Sequence, residues 1–135
     1  MRTRVFAPLV LAANLLILSV PLFAHHGASA YDTKKLTTLK GTVTDFQFMN
    51  PHSEIFLEVK NADGKVEKWS AEAASMVTLS RFGWSKNLFK AGDQITITVR
   101  PAKAGTPVGL INRAQPILVN GKQVLAGDRT ANAVN

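Results

Sequence analysis

Apolar and polar residues alternate along much of the chain with the period of two that predicts β-strands buried on one face. The alternation is clearest in Glu54–Lys60 and in Gln94–Arg100. The residues predicted to face inward from these two strands are Ile55, Leu57, Val59, Ile95, Ile97 and Val99. This pattern predicts a mainly β protein.

Further strands are indicated by runs of β-branched and aromatic residues. The apolar parity of the first run shifts near Asp45, which indicates a β-bulge. Asp63-Gly64 and Asn120-Gly121 are typical of tight turns between antiparallel strands, because these residue types adopt positive φ. The further strands are predicted at Leu39–Met49, Lys65–Ala71, Leu110–Val119 and Lys122–Leu125.

Between Glu72 and Gly83 the apolar spacing changes to that of a helix, and Gly83 is a typical helix stop. Three strands, one helix, then two or three strands is the order of a small OB-like Greek-key barrel, with the helix between the third and fourth strands. A plain β-sandwich is the alternative, but it does not explain one helix at this place. Ligands bind an OB barrel on strands two and three and the adjoining loops, which here are Asn50–Ser53 and Pro101–Gly109.

The N-terminal segment has the features of a signal peptide. Arg2 and Arg4 precede an uncharged, apolar stretch that ends at Ala24, a small residue that suits signal peptidase. Cleavage after Ala30 would follow a better small-x-small sequence, but it lies farther from the apolar stretch than is usual. An uncleaved anchor is the third alternative. We predict cleavage after Ala24, and hence a periplasmic or secreted protein without a stable membrane span after cleavage.

The rest of the chain divides into three parts. Residues 25–37 are small and polar and predict a flexible leader, residues 38–126 form the barrel, and residues 127–135 predict a disordered tail. The absence of cysteine excludes disulfides, thiolate metal sites and a cysteine nucleophile. Removal of the two signal arginines lowers the formal net charge from +7 to +5, which favours contact with anionic surfaces.

The three histidines carry the most specific chemistry. Cleavage after Ala24 makes His25 the first residue, so its α-amine and imidazole can chelate one metal ion together. With His26 and with His52 on the first loop, these groups would form a site similar to the histidine brace of copper proteins. Imidazole ligands without thiolates favour Cu(II), and Met49 beside the loop would be a soft ligand for Cu(I). The predicted function is binding of a transition metal, with copper as the first candidate and zinc and nickel as the alternatives that imidazole also suits.

The same residues fit a second hypothesis, in which no metal binds. A His-His leader binds metal without specificity, and His52 would then only cap its own turn. The chain would be an interaction module that contacts an envelope protein or an anionic polymer through the first loop, with Asn50 and Pro51, and through the loop Pro101–Gly109. Trp84 is expected to be partly exposed, either in such a contact or as a cover for the barrel end. Salt would weaken electrostatic contacts, whereas pH and chelators control metal binding.

Catalysis and nucleic-acid binding are not expected. His52-Ser53-Glu54 contains the residue types of a hydrolytic triad, but neighbours on an extended chain point in opposite directions. No phosphate or nucleotide motif is present. Many OB barrels bind nucleic acid, but aromatic residues on the strands of a small barrel are typical of its core, and export removes the usual nucleic-acid partner. The predicted protein is therefore a non-enzymatic binding protein.

Several short motifs occur in order along the chain: His25-His26, Tyr31-Asp32, Gly41-Thr42-Val43, Asn50-Pro51-His52, Trp69, Gly83-Trp84 and Gly92-Asp93. Together they resemble a family of small exported bacterial proteins that is catalogued only as a domain of unknown function. The similarity covers nearly all of the chain after the signal peptide. It implies an exported, barrel-like domain and brings no activity with it.

Overall fold

A computed structural model describes residues 27–127. The predicted signal peptide, His25, His26 and residues 128–135 of the predicted tail lie outside the described residues. A short 3-10 turn, Ala28–Ala30, precedes the strands, and one α-helix, α1 (Met76–Ser80), follows the third. The strands of this part of the chain are β1 (Thr37–Gln47), β2 (Ser53–Lys60), β3 (Val66–Ala73), β4 (Gln94–Pro101), β5 (Val108–Ile111), β6 (Ile117–Val119) and β7 (Lys122–Leu125).

The first five strands close into a barrel. They are neighbours in the order β1-β2-β3-β5-β4, and β1 also pairs with β4. The pairing of β3 with β5 is parallel, while β1–β2, β2–β3, β1–β4 and β4–β5 are antiparallel. The β6–β7 hairpin continues the sheet from β4. This strand order, with α1 between β3 and β4, confirms the predicted OB-like Greek-key barrel.

Strand β1 closes the barrel because it serves two neighbours. Its first half pairs with β4 and its second half with β2, and Gly41 belongs to both ladders. A Cβ atom on Gly41 would lie 2.5 Å from the backbone oxygen of Glu58, so only glycine lets the strands approach this closely. The predicted bulge is confirmed, since the β1–β2 register shifts between Val43 and Asp45.

The core fills the inside of the barrel. The predicted inward faces of β2 and β4 are confirmed for five of the six residues, which are at most 2% exposed, while Val59 is only partly buried. Each fully buried aliphatic side chain stabilises the fold by about 1.5–3 kcal/mol. The five residues are Ile55, Leu57, Ile95, Ile97 and Val99.

The helix predicted at residues 72–83 is wrong in length. Strand β3 continues through Glu72 to Ala73, which pair with residues of β2, and this pairing overrides the helical spacing of the sequence. The helix begins only after Ser75, whose side chain accepts a hydrogen bond from the backbone N–H of Thr78 and caps it. Gly83 follows the helix with a φ of 84°.

The single strand predicted at residues 110–119 is also wrong, because a turn divides it into β5 and β6. The backbone N–H of Asn112 donates to the Thr98 carbonyl, and the Asn112 side chain accepts from the N–H of Ala114. The two strands then pair with different parts of β4. The predicted turn at Asn120-Gly121 is confirmed, with φ values of 51° and 78° between β6 and β7.

Candidate functional site

Two glutamates lie side by side on the outer face of β2 and β3. Glu54 pairs directly with Glu72 across the two strands, and Phe56 pairs with Ser70 at the next outward position. Successive side chains of a strand point to opposite faces, so these four residues lie opposite the core. Like charges facing each other across a ladder are destabilising, and the two carboxylates therefore depend on nearby hydrogen-bond donors.

Each carboxylate is bonded by donors from a different part of the chain. The Ser70 hydroxyl donates to Oε1 of Glu54. The Tyr31 hydroxyl donates to Oε2 of Glu72 at 2.5 Å, and His52 Nδ1 lies 2.9 Å from Oε1 of the same residue. Glu72 thus connects the leader to the loop between β1 and β2. We call Tyr31, Glu72 and His52 the Glu72 bridge.

The Glu72 bridge selects one arrangement of the His52 ring. A hydrogen bond to the carboxylate requires the proton to be on Nδ1, and in the neutral ring the lone pair is then on Nε2. A metal-binding histidine usually donates its other ring N–H to a carboxylate or carbonyl in this way, which fixes its orientation. The His52 side chain is 49% exposed and that of Glu72 26%, so Glu72 orients a ring that solvent reaches.

Tyr31 anchors the leader to the barrel. The residue is only 6% exposed and forms an isolated antiparallel bridge with Ala102, directly after β4. On either side of it, the N–H of Asp32 donates to the Pro101 carbonyl at 2.9 Å, and the N–H of Lys103 donates to the Ala30 carbonyl at 3.0 Å. Residues 30–32 of the segment assigned to the leader therefore lie against the end of β4.

The environment of Tyr31 favours its protonated form. Burial raises the pKa of the Tyr31 phenol, and the hydrogen bond to Glu72 and the negative charges of Glu72 and Glu54 raise this pKa further. The phenol therefore keeps its proton well above neutral pH. It remains the donor that Glu72 requires.

The loop that carries His52 is held at both ends. The peptide bond between Asn50 and Pro51 is cis, and the loop that contains it separates β1 from β2, as the sequence predicts. The buried Ser53 donates from its backbone N–H to the Ala74 carbonyl at 3.0 Å, and its hydroxyl lies 3.3 Å from both the N and the O of Met49. The N–H of Met76 donates to the Met49 carbonyl at 3.0 Å. These bonds fix the loop against the start of α1.

The predicted site residues are only partly brought together. His52, Asn50 and Pro51 are exposed on the loop between β1 and β2, and Met49 beside them is 47% exposed. His25 and His26 lie outside the described residues.

The expectation that Trp84 is partly exposed is wrong. Its side chain is only 5% exposed, and it packs edge-on against Phe89, with ring centroids 5.4 Å apart. Trp84 also contacts Phe46, at 6.2 Å between centroids. It belongs to an aromatic cluster within the core, so it does not line a binding loop.

Two residues of the Glu72 bridge were not identified from the sequence as site residues. In the sequence Tyr31 stands out only within a family motif, and Glu72 only as the start of the predicted helix. The available signal was that Tyr31 is the single tyrosine of the chain and occurs in an otherwise small and polar segment. The pairing of Glu72 with Tyr31 spans 41 positions, and no local pattern predicts such a contact.

No group of three or more His, Asp or Glu residues among residues 27–127 is arranged to hold a metal ion. In the same range, no helix has the length and apolar character needed to cross a bilayer.

A second feature is an open depression beside the loop between β4 and β5. Its volume is about 570 Å³. Its lining combines one aromatic side chain, Trp69, with two cations, Lys35 and Lys103, and two carboxylates, Asp32 and Glu67. The Trp69 indole N–H donates to Glu67 at 3.1 Å, and Lys103 Nζ donates to the Ser29 carbonyl at 2.8 Å.

The closed five-strand barrel with its short helix defines an OB-like barrel protein. The chain belongs to a family of unknown function (DUF6152), whose model matches residues 12–113. This match confirms the family resemblance drawn from the short motifs. Among curated proteins, none matches the chain.

Among solved structures, the mitochondrial single-stranded DNA binding protein Rim1 from S. cerevisiae has a similar fold. One crystal form is 8% identical to this chain, with a TM-score of 0.46, over 65% of this chain and 95% of Rim1. Another form is 7% identical, with a TM-score of 0.45, over 70% of this chain and 98% of Rim1. At this identity the likeness concerns the fold alone.

Proposed function

We propose that this protein is an exported, non-enzymatic copper-binding protein. In this proposal His25, through its α-amine and imidazole, His26 and His52 hold Cu(II), and Glu72 orients the His52 ring. The observation that carries the proposal is the Glu72 bridge, because a single carboxylate bonds both the leader, through Tyr31, and the loop histidine.

Chain length supports the meeting of these histidines. His26 precedes Tyr31 by five residues, which would span at most roughly 17 Å if extended, and the 3-10 turn at Ala28–Ala30 shortens this span. Because Tyr31 is bonded to the carboxylate that also bonds His52, this short spacing supports a site shared by the leader histidines and His52. Copper ligation needs deprotonated amine and imidazole groups, so we expect binding to weaken as the pH falls.

The contacts of the leader also support cleavage after Ala24 rather than after Ala30. Ser29 and Ala30 accept hydrogen bonds from Lys103 through their backbone carbonyls. Cleavage after Ala30 would remove these contacts along with both leader histidines. Cleavage after Ala24 keeps them and places a histidine at the new N-terminus.

The outer face of β2 and β3 argues against nucleic acid as the ligand. Proteins that bind single strands combine a basic groove with exposed aromatic rings. Here the face carries Glu54 and Glu72 beside one aromatic residue, Phe56, whereas Phe46 and Trp84 pack against each other in the core cluster. A phosphate backbone would meet two carboxylates, and we infer that nucleic acid is not the partner.

The proposal is tested by titrating Cu(II) into protein purified after export, whose intact mass first identifies the N-terminus. The matched control carries one extra Met before His25, which blocks the terminal chelate and leaves every side chain in place. We expect tight one-to-one binding in the processed protein and a marked loss in the control. Equal, weak binding in both, or a mass that shows cleavage after Ala30, would contradict the proposal.

A second candidate is a metal-free module that binds an anionic envelope polymer, and the depression beside the β4–β5 loop is the contact surface it would use. Lys35 and Lys103 supply positive charge there beside the carboxylates of Asp32 and Glu67, and Trp69 offers an apolar surface for a ring. In this case Lys35→Gln with Lys103→Gln should abolish binding to a polyanion, and added salt should weaken it strongly. Binding that persists in this double variant would exclude the depression as the site.

A further inference from the structure

The two methionines that follow the signal peptide lie next to each other in the fold. Met1 is the only other methionine in the chain. Met49 and Met76 are 27 positions apart in the sequence, yet the N–H of Met76 donates to the Met49 carbonyl at 3.0 Å. Met49 is 47% exposed and Met76 is partly buried. The fold therefore brings the backbones of the two methionines together, with Met49 exposed and Met76 partly exposed.

The backbone around this pair is fixed by several bonds. The Ser53 hydroxyl lies 3.3 Å from the backbone N and O of Met49, and the Ser53 N–H donates to the Ala74 carbonyl. Between Met49 and Ser53 the same loop carries His52, whose ring is bonded to Glu72. Two thioethers and one oriented imidazole thus lie within one short loop and the residue bonded to it.

We propose that Met49, Met76 and His52 form a site for Cu(I). Thioether sulfur is a soft ligand that selects Cu(I), whereas an imidazole accepts copper in either oxidation state. Met side chains have three rotatable bonds and a polarizable sulfur, so two of them one backbone hydrogen bond apart can reach the same ion. The site deepens the proposed function, on which it rests through the shared His52, by specifying how the reduced ion is held.

Val77, next to Met76, is 54% exposed and extends the apolar surface around the methionines. An apolar patch of this kind would also suit a protein partner. We prefer a metal site to a protein contact because Glu72 orients the His52 imidazole on the loop that carries Met49. A purely apolar contact would not require an oriented imidazole.

Ag(I), a redox-stable substitute for Cu(I), is added to the exported protein labelled with ¹³C in its methionine methyl groups. Since the processed chain contains two methionines, the spectrum should show two signals, and we expect both to shift on one equivalent of Ag(I). Competition titrations with Cu(I) kept reduced by ascorbate then give affinities for Met49→Leu, Met76→Leu and the double variant. Val66→Leu, at the opposite end of β3, is the control.

We expect each single variant to lose about tenfold or more in Cu(I) affinity, the double variant to lose one-to-one binding, and the control to bind normally. Cu(II) binding at the terminal chelate should be unchanged in all of them. Methyl signals that do not move, or Cu(I) binding that survives in the double variant, would overturn the site and leave the methionines as an apolar patch. The Met-extended control separates the two proposals, because it blocks the Cu(II) chelate and leaves Met49, Met76 and His52 intact.

Discussion

The two faces of β2 and β3 are built by the same strands and differ in what specifies them. On the inner face, Ile55, Leu57, Ala71 and Ala73 are at most 2% exposed and pack into one core. On the outer face, at alternating positions, a cluster of carboxylate, hydroxyl and imidazole groups is joined by hydrogen bonds. Burial of apolar side chains is enough to specify the inner face. The arrangement of the outer face depends on hydrogen bonds to residues from distant segments of the chain.

The largest effect is expected on the inner face. Leu57→Ala removes a side chain that is 1% exposed and leaves a cavity, so the free energy of unfolding should fall by about 2–5 kcal/mol. Glu58→Ala, the next residue on the same strand and an exposed one, should change it by about 0.5 kcal/mol or less. Urea denaturation of both variants checks this difference. Similar losses at the two positions would show that the strand does not separate a buried face from a solvent face.

On the outer face, Glu72→Gln should affect copper more than stability. The substitution keeps the shape of the side chain and removes the charge that orients His52, and loss of such a partner usually lowers metal affinity about 10–100-fold. Glu54→Gln is the matched control, because Glu54 is the ladder partner of Glu72 but bonds Ser70 instead of His52. Calorimetric titration with Cu(II) should separate the two variants. An equal loss in both would indicate a general effect of negative charge.

Tyr31→Phe should have a smaller effect, on stability. It removes the hydroxyl that donates to Glu72 and keeps the buried ring, so we expect a loss of about 1 kcal/mol in the free energy of unfolding. In a Glu72→Ala background the same substitution should have almost no effect, because the acceptor is gone. Equal losses in the two backgrounds would mean that the hydroxyl acts through another contact.

The smallest expected effect is a shift of the Tyr31 titration to higher pH. Tyr31 is the single tyrosine, so tyrosinate absorbance in the ultraviolet reports this residue alone. The pKa of Tyr31 is raised above the ordinary value of 10.0 by burial and by Glu72, so the folded protein should show little tyrosinate at pH 10, where the unfolded chain is half ionised. The stability that this shift contributes is complete below pH 10 and is lost as the pH rises toward the higher folded value. A native titration midpoint near pH 10 would contradict the buried, bonded phenol.

The inner face was largely predictable from the sequence. The alternation in β2 and β4, the bulge at Asp45 and the Asn120-Gly121 turn all follow from local chemistry, and the strand order around one helix indicated the OB-like barrel. The length of the helix was not predictable, because Glu72 and Ala73 pair with β2 and this pairing outweighs the helical spacing. The same holds for Trp84, which tertiary packing buries although it follows a glycine turn.

The outer face was predictable only for His52 and its loop. Tyr31, Glu72 and His52 are far apart in the sequence, and each residue type is ordinary on its own. The contact between Met49 and Met76 likewise depends on where the β3–α1 connection runs, which residue spacing does not define. Closure of the barrel brings these residues together. In the sequence, Gly41 is one of the few residues that this closure specifically requires.

The central claim is that the Glu72 bridge places His52 where the N-terminal chelate can share an ion with it. Pulsed electron paramagnetic resonance of the exported, Cu(II)-loaded protein tests this directly, because it detects the remote nitrogen of each coordinated imidazole. We expect signals from leader and loop histidines together, and the loss of one imidazole contribution in His52→Gln while copper stays bound. An unchanged spectrum in His52→Gln would show that the loop histidine does not bind the ion and would contradict the claim.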